Sequence, residues 1–218
     1  MVDSEAEKRT AAEAAAGRVR DGEIVGLGTG TTVAYLLPAL AARALDIQCV
    51  ATSDATERRA RELGLAVEPF EHQLRLDVAI DGADQIAPDG WLIKGGGGAH
   101  TREKIVAAAA DRFIVIASSE KLVSALRPPV PLELLDFGLD ATLAALAALG
   151  SARLRDAPRS PDGGRIADYY GPIDDPRNLA ASLAATPGVI GHGLFPPALT
   201  SEVIVARGQE LITLTPSA

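Results

Sequence analysis

The chain has 218 residues, 47% hydrophobic and 23% charged, a balance that fits a soluble globular fold and excludes a disordered or fibrous one. Twenty-one basic residues against 29 acidic ones leave a net charge of −8. An acidic chain is a poor nucleic-acid partner, because counterion release needs clustered Lys and Arg.

From the N-terminus, Met1 to Lys8 is charged and lacks the apolar segment of a signal peptide. No run approaches about 18 uninterrupted apolar residues, so no membrane partner is expected and the location expected is cytoplasmic. Ser4-Glu-Ala-Glu7 fits a capping box, with an alanine-rich helix to Arg20. A short strand, Glu23 onward, then enters the glycine turn Gly26-Leu-Gly28-Thr-Gly30-Thr31-Thr32. Val33, Leu36, Leu37 and Leu40 have helical spacing after it. A strand over Ile47–Ala51 and a helix over Ala55–Leu63 follow, with Gly64 as the stop. Leu76–Ile80, Trp91–Ile93 and Phe113–Ile116 read as further buried strands, with a helix over His100–Ala110 before the last.

Strands alternating with helices predict a parallel sheet covered on both faces, with ligands at the carboxyl ends of its strands. The loops after Leu27, Ala51, Ile80, Ile93 and Ile116 are the ones to inspect. Arg127-Pro-Pro-Val-Pro131 marks a hinge. Beyond it come a strand (Leu132–Leu135), a helix (Asp140–Leu149) and two strands (Ala152–Arg155 and Arg165–Tyr170). A helix from Asp175-Pro176 and a strand over Gly188–His192 complete a ferredoxin-like β-α-β-β-α-β order. Glu202–Ala206 and Glu210–Leu214 form a closing hairpin or return to the first sheet. The expected fold is α/β: a Rossmann-like, mostly parallel sheet with helices on both faces, plus a smaller α+β domain. The expected division is 1–127 with 203–218 against 128–202.

Three loops carry chemistry. The glycine turn at 26–32 opens a helix and suits an anion. A dinucleotide site would want an acidic residue closing the next strand, whereas Thr52-Ser53-Asp54-Ala55-Thr56 offers hydroxyls first. A P-loop would want Gly-Lys-Ser/Thr, which is missing. A tight turn without ligand stays open for this motif alone, although two hydroxyl-rich turns at neighbouring strand ends favour a phosphorylated polyol. Asp81-Gly82-Ala83-Asp84 can accept hydrogen bonds from sugar hydroxyls, hold Mg²⁺, or merely cap a turn.

The third loop, Lys94-Gly95-Gly96-Gly97-Gly98-Ala99-His100-Thr101-Arg102-Glu103-Lys104, is the most telling. Four glycines are entropically costly, and a flexible linker rarely sits between a buried strand and a helix. A short loop of this kind gives a rigid ring of N–H donors, with Lys94 at its entrance and Glu103 in the next helical turn. Lysine is otherwise rare: Lys8, Lys94, Lys104 and Lys121 are the only four among 21 basic residues. A carboxylate base, an ammonium and N–H donors suit proton abstraction beside a carbonyl, without a cofactor. The single Cys49 excludes an intramolecular disulfide and a cysteine-based zinc site. His72, His100 and His192 have no metal-ligand spacing, so no metal is expected.

On the motifs at 26–32, 52–56, 81–84, 94–99 and 102–104, together with Lys121, the sequence resembles ribose-5-phosphate isomerase of the A type along nearly its whole length. The resemblance implies cofactor-independent interconversion of ribose 5-phosphate and ribulose 5-phosphate in the non-oxidative pentose phosphate pathway. It implies Glu103 as the proton acceptor through an enediolate, Lys94 as charge stabiliser, and Asp81 and Asp84 as hydroxyl holders that assist ring opening. Thr29, Gly30, Thr31, Thr32, Gly82, Ala83, Gly95, Gly96, Gly97 and Lys121 are implied substrate contacts, and Lys8 a phosphate-side one. A homodimer or homotetramer is implied too. Gln85 and Ser118 depart from the family's usual acidic residues, His100 reads as peripheral, and 151–174 matches least. The rivals are a sugar-phosphate hydrolase or deaminase, which lacks a matching histidine-rich motif, and a silent sugar-phosphate sensor, which would not need a base.

Overall fold

The computed structural model describes residues 3–71 and 75–216; His72 lies outside them. The first half runs α1 (Ser4–Ala16), β1 (Ile24–Leu27), α2 (Thr31–Ala41), β2 (Gln48–Ala51), α3 (Asp54–Glu62) and β3 (Ala66–Val67). It continues through β4 (Leu76–Gly82), β5 (Gln85–Ile86), β6 (Leu92–Ile93), α4 (His100–Ala109) and β7 (Ala110–Ser118). A 3₁₀ turn covers Ser119–Lys121. Then come β8 (Val130–Leu134), α5 (Leu139–Leu146), β9 (Ala152–Leu154), β10 (Arg165–Tyr169), α6 (Pro176–Ala185), β11 (Val189–His192), β12 (Leu194–Phe195), β13 (Glu202–Arg207) and β14 (Glu210–Leu214).

Seven strands form the main sheet in the order β14-β13-β7-β4-β1-β2-β3. All neighbours are parallel except the closing β13–β14 hairpin, so the last two strands both pair with each other and rejoin the first sheet. The parallel strands are buried on both faces, which is why Val25 to Leu27, Val78 to Ile80 and Phe113 to Ala117 read as apolar runs rather than alternating ones. On one face α1 packs its alanines, Ala11, Ala12, Ala15 and Ala16, close against its neighbours. On the other, α4 lies so near β1 that a Cβ on Gly26 would come within 2.5 Å of Val106 Cγ1. Only glycine permits that approach.

The second sheet has the order β11-β8-β10-β9, antiparallel throughout. Numbered within itself this is 4-1-3-2, so the ferredoxin-like reading of the element order holds. Asp175 caps α6 through Arg177 and Asn178, with Pro176 at the first helical position, as expected.

Other boundaries shift. Asp3 rather than Ser4 caps α1, accepting from the N–H groups of Glu5 and Ala6. The helix stops at Ala16 instead of Arg20, where Arg43 gathers the carbonyls of Ala16 and Val19. The largest correction concerns Trp91–Ile93. It belongs not to the parallel sheet but to a third sheet, β12-β6-β5, whose pairs are antiparallel. Pro88-Asp89-Gly90, with Gly90 at φ 84°, turns the chain back from β5 into β6. That turn signature stands in the sequence and identifies the hairpin.

Candidate active site

At the carboxyl edge of the main sheet, β4 runs two residues further than expected, so Asp81 is part of the strand rather than the loop after it. Its Oδ1 accepts from the backbone N–H of Gly82 at 2.7 Å and of Thr29 at 3.1 Å. A Cβ on Gly28 would lie 2.0 Å from the Asp81 carboxyl, so the glycine is needed for this carboxylate to enter. Gly30, at φ 118°, then starts α2 with no side-chain cap, leaving the helix N-terminus facing the cavity.

The hydroxyl-rich turn after β2 has a different job from the one expected. Thr29 Oγ1 lies 2.8 Å from Thr52 Oγ1 and 2.9 Å from Ser53 Oγ, and Thr56 Oγ1 donates to the Gly28 carbonyl at 2.9 Å. These hydroxyls are spent on one another. Thr52, Ser53 and Thr56 buttress the glycine turn and do not line the cavity.

Lys94 follows β6, and its backbone N–H donates to Gly193 at 2.9 Å. Its Nζ lies 2.8 Å from Asp81 Oδ2 and 3.2 Å from Glu103 Oε2, and donates to the Gly82 carbonyl at 2.5 Å. Glu103 reaches the ammonium from the first turn of α4. Lys94 at the loop entrance and Glu103 in the next helical turn therefore meet in direct contact. Asp84 instead holds the glycine loop, its Oδ2 accepting from Gly96 N–H at 2.8 Å.

Two carboxylates and one ammonium leave this buried group one negative charge in excess. Burial and the neighbouring Asp81 push Glu103 up to about 8, against the pull of Lys94. Burial raises Asp81 as well, opposed by Lys94 and by two backbone donors that Glu103 lacks. Glu103 is therefore the carboxyl that takes a proton more readily, and Asp81 the better-held anion. Burial alone would lower Lys94, but the two carboxylates outweigh it and hold Lys94 above the ordinary lysine range.

A cavity of about 290 Å³ opens over this group, lined by Thr29 to Thr32, Gly82 to Asp84, Lys94 to Gly97, Glu103 and Lys121. It thus gathers most of the residues expected from sequence, with Lys121 arriving from the turn after β7. Asp81 sits beneath it, against Lys94. Lys8 does not line it; its ammonium is held by Glu5 at 2.7 Å. Gln85 is paired with the Arg127 backbone, and Ser118 is buried beside Ser4 and Glu120. Among the described residues no cluster of three or more His, Cys, Asp or Glu side chains is placed to hold a metal ion, and no helix is long and apolar enough to cross a membrane.

His100 is not peripheral. It is fully buried under the loop, and a Cβ on Gly95 would meet its own Cβ at 2.6 Å. Burial drives its imidazole down to about 3, so it is neutral. Beside it, Lys104 is pushed by burial down to about 7; it donates to the His192 carbonyl at 2.6 Å and lies 4.9 Å from the centre of the Phe195 ring. No sequence motif marks this packing, because the partners of Lys104 come from 88 or more residues away.

A parallel sheet with a charged group and a glycine loop at its carboxyl edge defines an α/β enzyme. Residues 48–210 match the family model of ribose 5-phosphate isomerase A (phosphoriboisomerase A). The ribose-5-phosphate isomerase A of Halobacterium salinarum is 48% identical over 199 residues, covering 87% of each chain. The solved ribose 5-phosphate isomerase A from Neisseria gonorrhoeae superimposes with a TM-score of 0.95 at 32% identity over the whole of both chains. A solved D-ribose-5-phosphate isomerase in complex with phospho-erythronic acid gives 0.92 at 34% identity, covering 98% of this chain and 99% of that one. The chain belongs to the ribose 5-phosphate isomerase A family, and it is an isomerase.

Proposed function

We propose that the chain interconverts D-ribose 5-phosphate and D-ribulose 5-phosphate by proton transfer through an enediolate, with Glu103 as the base, in the non-oxidative pentose phosphate pathway. Family membership supports the substrate. The observation that carries the mechanism is the buried Asp81–Lys94–Glu103 group, in which one carboxyl is poised to exchange a proton near neutral pH.

In the forward direction the open-chain aldose places C1 and C2 over Glu103. The carboxylate removes the proton on C2; the electrons of that C–H bond become the C1=C2 double bond, and those of the C1=O bond move onto O1. Lys94 and the loop N–H groups stabilise this oxygen. The hydroxyl proton on O2 passes to O1, the carbonyl reforms at C2, and protonated Glu103 delivers its proton to C1. Atoms and charges balance without an external oxidant or reductant.

The open N-terminus of α2 at Thr29–Thr32, with Lys121 across the cavity, suits the phosphate end. Asp84 suits the hydroxyls and ring opening, with Gly82 and Ala83 forming the wall beside it, while Asp81, beneath the cavity, holds Lys94 in place. Residues 1–127 with 203–218 form the catalytic unit in this reading, and 128–202 the smaller one. The phospho-erythronic acid bound by the solved relative is a phosphorylated four-carbon acid, whose carboxylate is a fair likeness of an enediolate.

Purified protein mixed with ribose 5-phosphate in chelator should form ribulose 5-phosphate. Absence of turnover both with and without chelator would leave a sugar-phosphate sensor, and turnover seen only without chelator would assign Asp81 and Asp84 to a metal.

A further inference from the structure

The loop of four glycines has no side chains with which to pack, and glycine is the residue that loses most conformational freedom on ordering. If its N–H groups are to stand at fixed points around a reacting oxygen, something outside the loop must hold it. On one side Asp84 does so through the Gly96 N–H. The other side is met by the four-stranded sheet, through the loop after β9.

Arg155 follows β9, its backbone N–H tied to the Ile166 carbonyl of β10 at 2.9 Å. Its guanidinium uses one edge for Asp168 on β10: Nε lies 2.7 Å from Oδ2, and Nη2 lies 2.6 Å from Oδ1. This bidentate pair fixes the plane of the fork. The remaining nitrogen, Nη1, then donates to the Gly96 carbonyl at 2.8 Å and more distantly to Gly95 at 3.4 Å. Both side chains of the pair are mostly shielded from water, with exposures of 21% and 13%, so solvent weakens the contact little. Gly96 is thus gripped at both of its peptide groups, by an acid from the loop after β4 and a guanidinium from the loop after β9.

We propose that Arg155, oriented by Asp168, is a positioning residue of the isomerase: it holds the carbonyl side of the glycine loop so that the loop's N–H groups face the reacting sugar phosphate. The proposal rests on the reading that this loop borders the substrate. A lysine at 155 could reach either Asp168 or the loop carbonyl but could not serve both in one plane.

The test compares Arg155→Ala, Arg155→Lys and Asp168→Asn with the parent in kcat and KM for ribose 5-phosphate, and in amide exchange at 95–98. Arg155→Ala should lower kcat by about 10- to 100-fold, the scale expected of a small misplacement near the chemistry, with a smaller change in KM. Exchange should quicken in the loop and stay as in the parent in β4 and β7. Arg155→Lys should recover part of kcat, and free guanidinium should partly restore Arg155→Ala. Should that variant fail to fold, Asp168→Asn, which keeps side-chain volume, carries the test. Values of kcat within twofold of the parent in the alanine and asparagine variants, or unaltered loop exchange, overturn the proposal. A parent that does not isomerise ribose 5-phosphate defeats the functional reading instead, and loop exchange alone then decides this one.

Discussion

The ammonium of Lys94 lies 3.2 Å from the carboxylate of Glu103, with both side chains at least 96% shielded from solvent. Because Asp81 claims the same ammonium at 2.8 Å, Glu103 shares its counter-ion. That sharing, with burial, makes a glutamate behave as a base near neutrality rather than as a permanent anion.

The first consequence is a pH profile. Glu103 must be ionised to accept a proton, and its value stands at about 8. In the free enzyme kcat/KM should therefore climb with pH, close to tenfold per unit, and level off above about 8. The second ionisation of the substrate phosphate, near 6, lies below this limb and is separable from it. Initial rates between pH 5 and 9.5 check this; a plateau already reached at pH 5.5 would mean that Glu103 is not desolvated.

Stability should depend on the same group with the opposite sense. An acid whose folded value is raised binds more protons folded than unfolded, so the folded state loses stability as pH rises from about 4.5 to about 8. Glu103→Gln removes that loss. The stability of the variant minus that of the parent should be near zero at pH 4, grow by at most about 1.4 kcal/mol per pH unit, and flatten above pH 8. Denaturant titrations at several pH values measure it; a difference that does not vary with pH would contradict the raised value.

Lys94→Arg should be damaging despite conserving charge. Lys94 sits among Gly82, Asp81 and Glu103 with 2% of its side chain exposed, where a compact ammonium fits and a wide planar guanidinium does not. We expect a fall in kcat of roughly 10²-fold or more, the size of losing one stabiliser of transition-state charge. Steady-state kinetics of the folded variant would read it, and near-parental kcat would refute the tight enclosure.

Gly28→Ala probes the scaffold. The new methyl would fall on the Asp81 carboxyl, which must withdraw from Thr29 N–H and from Lys94. A loss of about 1–3 kcal/mol in stability is expected from overpacking, with activity reduced at least about tenfold as Lys94 loses the nearer of its two carboxylates. Unchanged urea midpoint and activity would show that the turn relaxes freely.

Much of this was legible from local signals. The alternation of short apolar strands with helices gave the sheet, the glycine turns gave its functional edge, and Lys94, Asp84 and Glu103 stood in motifs whose spacing brought them to one cavity. The reading failed where long-range packing decides. Thr52, Ser53 and Thr56 looked like ligand hydroxyls but serve Thr29 and Gly28. Trp91–Ile93 was apolar enough for the parallel sheet, and only the Pro88-Asp89-Gly90 turn reveals its hairpin. Arg155 carried no motif at all, since its meaning arises when the smaller sheet is laid against Gly96, 59 residues away.

The most direct test of the central claim is to measure kcat and the dissociation constant for ribose 5-phosphate together in Glu103→Gln. Glutamine keeps the shape of the side chain and cannot accept the proton. A fall in kcat of roughly 10²–10⁴-fold with binding within about threefold of the parent is the predicted result. Turnover close to the parent's would remove Glu103 from the base role.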